Sequence, residues 1–395
     1  MSTLSESTIE IVSATVPALE QHGEAIVARM YGRLLADAGI RAFFNMSHQT
    51  GNSPQHKALT GAILAYARHI REPQVLAATI ERIAQKHVAL KIEPPHYEAV
   101  GGALLAAISD VLGEAASEEV LTAWGEAYWF LANVLIDREK DLYQDQAEAP
   151  GGWSGWRKFV IAEKHEETAE ITSFILRPED GAPVLRHKPG QYLSFLIDTG
   201  DADTGPVRRT YSISSAPNGS TYRITVKREA QGKVSGWLHN VAQQGTILDV
   251  GAPAGEFFLD PAQKSEIVLL SGGVGLTPMI SMLEANGDGA LPITYVHAAR
   301  SRAHHAMKEV SSRLATNTAN FYEEPDGEQI SDEAASITGR VDTSWLAANT
   351  SPKTADYYVC GPSGFMKATI SGLRSLGVSD DRLHYEFFGP ASEAL

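Results

Sequence analysis

Cysteine is nearly absent: Cys360 is the only one in 395 residues. That excludes an intrachain disulfide framework and any cysteine-rich metal site, and it suits a cytoplasmic protein. There is no apolar run long enough to span a bilayer, and the opening stretch Met1-Ser-Thr-Leu-Ser-Glu-Ser-Thr8 lacks the basic segment and apolar core of a secretory leader. Positive charge is scarce too, with 33 Lys and Arg against 48 Asp and Glu and a formal net charge of −15. Such a surface repels a phosphate backbone, so no nucleic-acid partner is expected. Nothing suggests disorder, since 43% of residues are hydrophobic and 21% charged. The length allows two or three domains, each able to bury a core.

What is present falls into three stretches. From residue 1 to about 145, apolar residues recur three and four apart, so this part reads as an all-α domain. Within it Ile80, Ile83, Ala84, His87 and Val88 fall at i, i+3, i+4, i+7 and i+8, which places a histidine on an apolar helix face. Such a ring is more often a core residue bonded to a carbonyl than a ligand. Tyr97, after the Pro94-Pro95 break, and Glu139, near the end of another amphipathic helix, change the balance. A hydroxyl and a carboxylate on the far ring nitrogen are how a metal-ligating imidazole is oriented and made more basic. Val27, Met30, Tyr31, Leu34 and Leu35 share a second face, with Phe44 in the corner beyond. Gln55, Leu59, Ile63 and Tyr66 form a third stripe. Singly, a buried tyrosine or a glutamine at a helix start is an ordinary residue. Together they offer a hydroxyl and an amide that can donate hydrogen bonds, with Leu59 limiting access.

The run Asp145-Gln-Ala-Glu-Ala-Pro-Gly-Gly152 reads as a linker. Beyond it the period shifts towards two in Phe159–Ile161, Ile171–Leu176, Tyr192–Ile197, Thr210–Ser214 and Tyr222–Lys227, the pattern of short antiparallel strands in a small β-barrel. Asn218-Gly219 predicts a tight hairpin turn between the last two. Arg209-Thr210-Tyr211-Ser212 offers a guanidinium for a pyrophosphate, a ring for a flat cofactor and a hydroxyl near its edge. Gly232-Lys-Val234-Ser235 opens a helix whose free N–H groups suit phosphate, although Gly-x-x-Ser is commonly only a cap.

From about residue 264 the reading is alternating α/β. Ile267–Ser271 is a continuous apolar run, as in a parallel strand buried on both faces, and it enters Gly272-Gly273-Val274-Gly275-Leu276-Thr277-Pro278. Glycines there let the backbone approach a dinucleotide pyrophosphate at a helix start, or make a plain structural turn. Ile293–His297 and Tyr357–Cys360 follow at βαβ spacing, the latter entering Gly361-Pro362-Ser-Gly364-Phe-Met. Where an acid would select NAD, the chain has Ala298-Ala-Arg300-Ser-Arg302, whose arginines suit a 2′-phosphate but are more commonly plain surface residues; NADH with some NADPH use is the expectation.

The run Ala84-Gln-Lys86-His87, with Tyr97, Glu139 and Phe44-Asn-Met-Ser, resembles the globin domain of bacterial flavohaemoglobins. Pro189-Gly-Gln-Tyr192, Arg209–Ser212, the Gly272–Pro278 run and Cys360-Gly-Pro are similar, in kind and order, to the FAD- and nicotinamide-binding modules of ferredoxin reductase-like proteins. The resemblance spans essentially the whole chain. It implies a multidomain α and α/β architecture: an all-α globin domain over residues 1–147, an antiparallel β-barrel FAD domain over 152–262, and a parallel α/β NAD(P)H-binding domain over 264–395.

Residue roles carry over with it. The resemblance implies haem b with His87 as proximal iron ligand, Tyr97 and Glu139 as its relay, Tyr31 and Gln55 as distal donors, and Phe44 and Leu59 in the distal pocket. Lys86 and Glu386 would tune the redox centres, Glu386 close to the flavin–haem junction. FAD would meet Tyr192, Arg209, Thr210, Tyr211, Ser212, Gly232, Val234, Ser235, Phe387, Phe388, Gly389 and Pro390; Phe387 stands where some relatives carry cysteine. NAD(P)H would meet Gly272, Gly273, Val274, Gly275, Leu276, Thr277, Pro278, Cys360, Gly361 and Pro362. The implied activity is nitric oxide dioxygenation, turning NO and O₂ into nitrate as electrons pass from NAD(P)H to FAD to haem, with no obligatory protein partner. Two other readings use some of the same parts: reduction of lipid or alkyl hydroperoxides, with a lipid in the distal pocket, and oxygen binding or sensing, for which the reductase motifs have no purpose.

Overall fold

The structure is a computed structural model that describes residues 3–44, 54–201, 205–260, 266–287, 289–324 and 336–388. The chain divides into two compact units, the first built mainly on Met1–Glu148 and the second mainly on Ala149–Thr199 and Arg209–Gly389.

The first unit is helical: α1 Glu6–Ala14, α2 Val16–Leu34, α3 Ala38–Arg41, α4 Pro54–Arg68, α5 Ala77–Leu90, α6 Pro94–Leu112 and α7 Glu118–Glu148. Ser5 starts α1 by accepting the Thr8 N–H at 3.1 Å. Lys91, at φ 61°, ends α5 in the left-handed region, and Pro94 opens α6 where a missing N–H leaves no bond unmade. This stop and restart brings His87, in the last turn of α5, within hydrogen-bond reach of Tyr97 in the first turn of α6. The apolar interior forms two clusters. In one, Leu19, Ile26, Val27 and Met30 of α2 meet Leu104 and Ile108 of α6 and Trp124 of α7. In the other, Ala84 and Val88 of α5 meet Tyr97, Ala132, Leu135 and Leu142. Each fully buried large side chain contributes roughly 1.5–3 kcal/mol of transfer free energy.

The second unit begins with an antiparallel sheet of β1 Trp156–Glu166, β2 Ile171–Pro178, β3 Tyr192–Ile197, β4 Val207–Ser212 and β5 Tyr222–Lys227, followed by α8 Lys233–Asn240 and β6 Ile247–Gly251. Its strand order is β4-β3-β6-β1-β2-β5. Phe159, Phe174, Phe195 and Tyr222 are fully buried and fill its inner face. Ile213 bridges Ile224, and the Ser214 N–H donates to Arg223 O at 2.7 Å, so the chain beyond β4 meets β5 and closes the barrel. This differs from the tight hairpin expected at Asn218-Gly219. β2 pairs β5 along its length, and the Asn218 side chain accepts the Ser220 and Thr221 N–H groups, each at 2.8 Å, to cap a wider loop.

The rest of this unit is an all-parallel sheet. Its elements are β7 Ile267–Gly272, α9 Leu276–Asn286, β8 Ile293–Ala299, α10 Lys308–Leu314, β9 Asn317–Tyr322, β10 Ser336–Thr338, α11 Thr343–Asn349, β11 Asp356–Cys360, α12 Ser363–Ser375 and β12 Leu383–Glu386, in the strand order β10-β9-β8-β7-β11-β12. All of β7 is buried; α9 and α10 pack on one face of the sheet, α11 and α12 on the other. The chain runs outward from β7 through β8, β9 and β10, then returns to place β11 and β12 on the opposite side. The order therefore reverses between β7 and β11, and ligands of such sheets bind at the strand C-termini at that point.

One buried titratable group gives this unit a pH dependence. His187 is 3% exposed, and its Nε2–H donates to Ser215 O at 2.9 Å while Nδ1 has no partner among the described residues. Burial pushes its pKa down to about 4. The folded value lies below the ordinary value of about 6.5, so the unfolded chain takes up the proton first. Stability is then full above pH ~6.5 and is lost as the pH falls towards 4. His187→Asn is expected to lose on the order of 2 kcal/mol less than the parent between pH 7 and 4, read by urea unfolding. Parallel curves would remove His187 as the cause.

Candidate functional site

His87 Nδ1 meets two buried groups, Glu139 Oε1 of α7 at 2.8 Å and Tyr97 Oη of α6 at 2.9 Å. Tyr97 also donates to the same carboxylate oxygen at 2.5 Å, and the Tyr128 hydroxyl anchors the corner by donating to Tyr97 O at 2.5 Å. Glu139 is 3% exposed, and burial, then its hydrogen bond, hold the Tyr97 hydroxyl protonated. A carboxylate can only accept, so it takes the imidazole and phenol protons together. The proton thus sits on Nδ1, and the lone pair of Nε2 has no partner among the described residues. The histidine side chain is 30% exposed, unlike its fully buried neighbours Ala84 and Val88.

An iron held by this nitrogen would need further ligands. Among the described residues no group of three or more His, Cys, Asp or Glu could hold a metal ion. A lone imidazole suits a haem, whose macrocycle supplies four of the ligands. The apolar surroundings fit a flat ring: Ile80 and Ile83 beside His87, and Phe44, Leu59 and Ile63 on the other cluster, are only partly buried.

Tyr31, in α2, belongs to that second cluster and is 7% exposed. Burial pushes its pKa up to about 12, so the hydroxyl stays protonated, and it makes no hydrogen bond among the described residues. Phe44 meets the ring edge-on at a centroid distance of 5.4 Å, and His56 stacks on it at 4.6 Å. His56 was not singled out in the sequence, although it lies three residues before Leu59 and so shares its helix face. Gln55 is half-buried in the first turn of α4, and Lys86 is exposed to solvent.

In the barrel, Tyr192 is 7% exposed with its ring against Gly255. Arg209 and Tyr211 are half-buried on β4, Thr210 is exposed and Ser212 is buried; Tyr211 packs edge-on to Phe195 at 5.7 Å. Gly232 caps α8, and Val234 is buried beneath it. The Ser235 hydroxyl closes the turn itself, accepting the Glu229 N–H at 3.1 Å and donating to Gly232 O at 3.3 Å. Phe387 packs edge-on to Tyr385 in the core of the α/β layer, whereas Phe388 is 48% exposed. Gly389 and Pro390 lie outside the described residues.

At the reversal of the parallel sheet, the two glycine runs abut. A Cβ on Gly361 would lie 3.0 Å from Gly272 N, and one on Gly275 would lie 2.7 Å from Gly361 N and closer still to the Cys360 carbonyl. Gly273 has φ 52° with open space around it, so conformation requires glycine there and space requires it at Gly275. Val274 is half-buried; Leu276, Thr277 and Pro278 are buried in the first turn of α9, and the Thr277 hydroxyl donates to Val274 O at 3.1 Å. Pro362, exposed, precedes α12. Cys360 is fully buried and stands in register with Glu386 of β12; burial, then that carboxylate's charge, pushes its thiol well up. The same two causes raise Tyr192, which puts the barrel and this sheet edge within electrostatic reach of one residue. Arg302 follows β8 with its guanidinium 5.8 Å from the Tyr322 ring centre, and Arg300 is exposed.

These three arrangements match three protein families: globin over residues 17–135, oxidoreductase FAD-binding domain over 158–259, and oxidoreductase NAD-binding domain over 269–370. A flavohemoprotein of Xylella fastidiosa (strain 9a5c) is 47% identical over 398 residues, covering 99% of this chain and 98% of its own. One from Rhizobium meliloti is 41% identical, covering 98% of each. Among solved structures, the flavohemoglobin from Malassezia yamatoensis with bound FAD and heme has a TM-score of 0.85 at 26% identity, covering 98% of this chain and 100% of that one. The FAD/NAD-binding domain of nitric oxide dioxygenase from Vibrio cholerae has a TM-score of 0.53 at 35% identity, covering 59% and 99%.

Proposed function

The chain belongs to the flavohemoprotein family, and from that premise we propose that it is a nitric oxide dioxygenase, using haem b, FAD and NADH, with NADPH as a weaker substitute, to convert NO and O₂ into nitrate. The observation that carries this reading is the bond from His87 Nδ1 to the buried carboxylate of Glu139. A globin that only stores a gas has no need of an electron-rich proximal ligand, whereas activating O₂ does. When bound, haem supplies the iron at which the two gases meet, and FAD turns a two-electron reductant into single-electron delivery.

The chain's residues act around those groups. Glu139 and Tyr97 hold the imidazole in one orientation and one tautomer, which leaves Nε2 basic and free to ligate. Tyr31 keeps its proton at neutral pH and would offer it as a hydrogen bond to a gas ligand held in the haem pocket, with Gln55 as a second donor. Phe44 and His56 fix the plane of its ring. Gly272–Gly275 and Gly361 leave room for a dinucleotide backbone at the start of α9. Because haem, flavin and nicotinamide modules occur in one chain, the reading needs no partner protein. No helix among the described residues is long and apolar enough to cross a membrane.

The test is the decay of dissolved NO on an electrode, in air, with protein loaded with haem and FAD, with NADH, with NADPH and with neither. Repeated, nucleotide-dependent NO loss with nitrate as product supports the proposal. A single loss per haem, or NADH oxidation without NO loss, overturns it and directs attention to hydroperoxides. In the same preparation Tyr31→Phe is expected to speed O₂ dissociation roughly 10- to 100-fold, the equivalent of a hydrogen bond to a charged group at about 1.5–3 kcal/mol. Ligand-displacement stopped flow measures it, and an unchanged off-rate removes Tyr31 from the mechanism.

A further inference from the structure

The dinucleotide-binding helix α9 is tied along one flank to the chain that follows β4. Glu284, towards the end of α9, pairs with the Arg223 guanidinium at 2.7 Å and accepts the Ala216 N–H at 3.0 Å. Ser281, one turn earlier, donates to Ser215 O at 2.8 Å, an oxygen that also accepts from His187 Nε2 at 2.9 Å. Arg223, on β5, reaches both the Ser214 hydroxyl at 3.3 Å and the Ser214 carbonyl. The Arg223 and Glu284 side chains are only 17% and 21% exposed. Water competes poorly there, and charge-assisted bonds that share partners stiffen one another.

The placement of this clasp matters more than its strength. Ser214–Ala216 continues directly from Arg209–Ser212, the run that faces the flavin site, while α9 begins at the Gly272–Gly275 turn. Barrel and parallel sheet each carry one cofactor site, so the separation of the two sites is set by bonds between the layers. Hydride transfer tolerates little error in that separation, because donor and acceptor must approach within about 3–3.5 Å. We propose that Glu284 is a positioning residue for hydride transfer, which through Arg223 and Ala216 locks α9 to the flavin-side segment and fixes how closely nicotinamide approaches flavin. The proposal rests on the FAD and NAD(P)H reading of the two layers and not on the gas chemistry.

The test uses the holoenzyme under anaerobic stopped flow, where NADH passes a hydride, one proton with two electrons, to FAD and leaves as NAD⁺. Glu284→Gln keeps one acceptor oxygen, which the guanidinium takes, so its amide N–H₂ is left facing the Ala216 N–H and the charge is removed while the volume is kept; Glu284→Asp keeps the charge on a shorter arm. For Glu284→Gln, flavin reduction is expected to slow roughly tenfold or more. Its isotope effect with C4-deuterated NADH should become more temperature-dependent, and the Ala216 amide should exchange faster, with FAD content and NADH affinity unchanged. Glu284→Asp should recover part of the rate. A parent-like rate and isotope effect in a Gln variant whose Ala216 amide is deprotected overturns the proposal, since the clasp is then a packing contact only. Loss of FAD or of NADH binding with a parent-like isotope effect overturns it as well. Neither NO nor O₂ is present, so this test and the dioxygenase test fail independently.

Discussion

His87→Ala is expected to purify with FAD but without haem, and to regain haem absorbance when imidazole is added. Nε2 of His87 has no partner among the described residues, and no cluster of ligating side chains among them offers a substitute. Free imidazole can enter the space of the missing ring, but Glu139 must then accept its N–H from a mobile guest. Glu139→Gln makes the contrasting case. Its side-chain oxygen still accepts from Nδ1, so haem stays, but the negative charge is gone, and haem retention should weaken by roughly 10- to 100-fold, the usual size of outer-shell effects at metal sites. Absorbance spectra and haem-to-protein ratios measure both. A His87→Ala protein that keeps its haem would mean that another residue ligates the iron, and the site as drawn would be wrong.

Gly275→Ala is expected to slow flavin reduction by NADH at least ~100-fold, because a displacement near 1 Å in the dinucleotide loop is enough for that. φ at Gly275 is −61°, so alanine meets no backbone strain; the obstacle is space. The added methyl would press on the Cys360 carbonyl and lie 2.7 Å from Gly361 N, and these are backbone atoms of the neighbouring loop that cannot rotate away. Relief requires the β7 and β11 ends to part, which separates the two glycine runs. Dithionite should still reduce the flavin, and haem should still bind CO, since neither needs the nicotinamide loop. NADH-dependent reduction at the parent rate would show that the two loops do not cradle the dinucleotide.

How far these sites could be read from the sequence depends on how local their causes are. His87 and Tyr97 sit on either side of one corner, which Lys91 and Pro94 announce, so their meeting follows from helix period and a proline. The glycine run of Gly272–Gly275 is local in the same way, since a strand, a turn and a helix start are short-range events. Alternation passed over β6, which lies mid-sheet between β1 and β3 yet leaves Ile247 at 47% exposure, so its pattern is no guide to its centrality. The Asn218-Gly219 signal was equally ambiguous: a turn is encoded there, but its width depends on the pairing of β5 with β2.

By itself, then, the sequence determined three kinds of element in order, the histidine face, the glycine runs and the family resemblance, because period, turn chemistry and motif spacing act within a few residues. Tertiary structure alone decided which distant groups touch. Glu139 reaches His87 across 52 positions and Glu284 reaches Arg223 across 61, and only packing brings such carboxylates to their partners. It also decided that His56 stacks on Tyr31, that the Ser235 hydroxyl closes its own turn, and that the sheet reverses between β7 and β11 so that Gly275 lies against Cys360. The physical reason is that hydrogen bonds and steric contacts act over a few ångströms in space, a distance that separation along the chain does not specify.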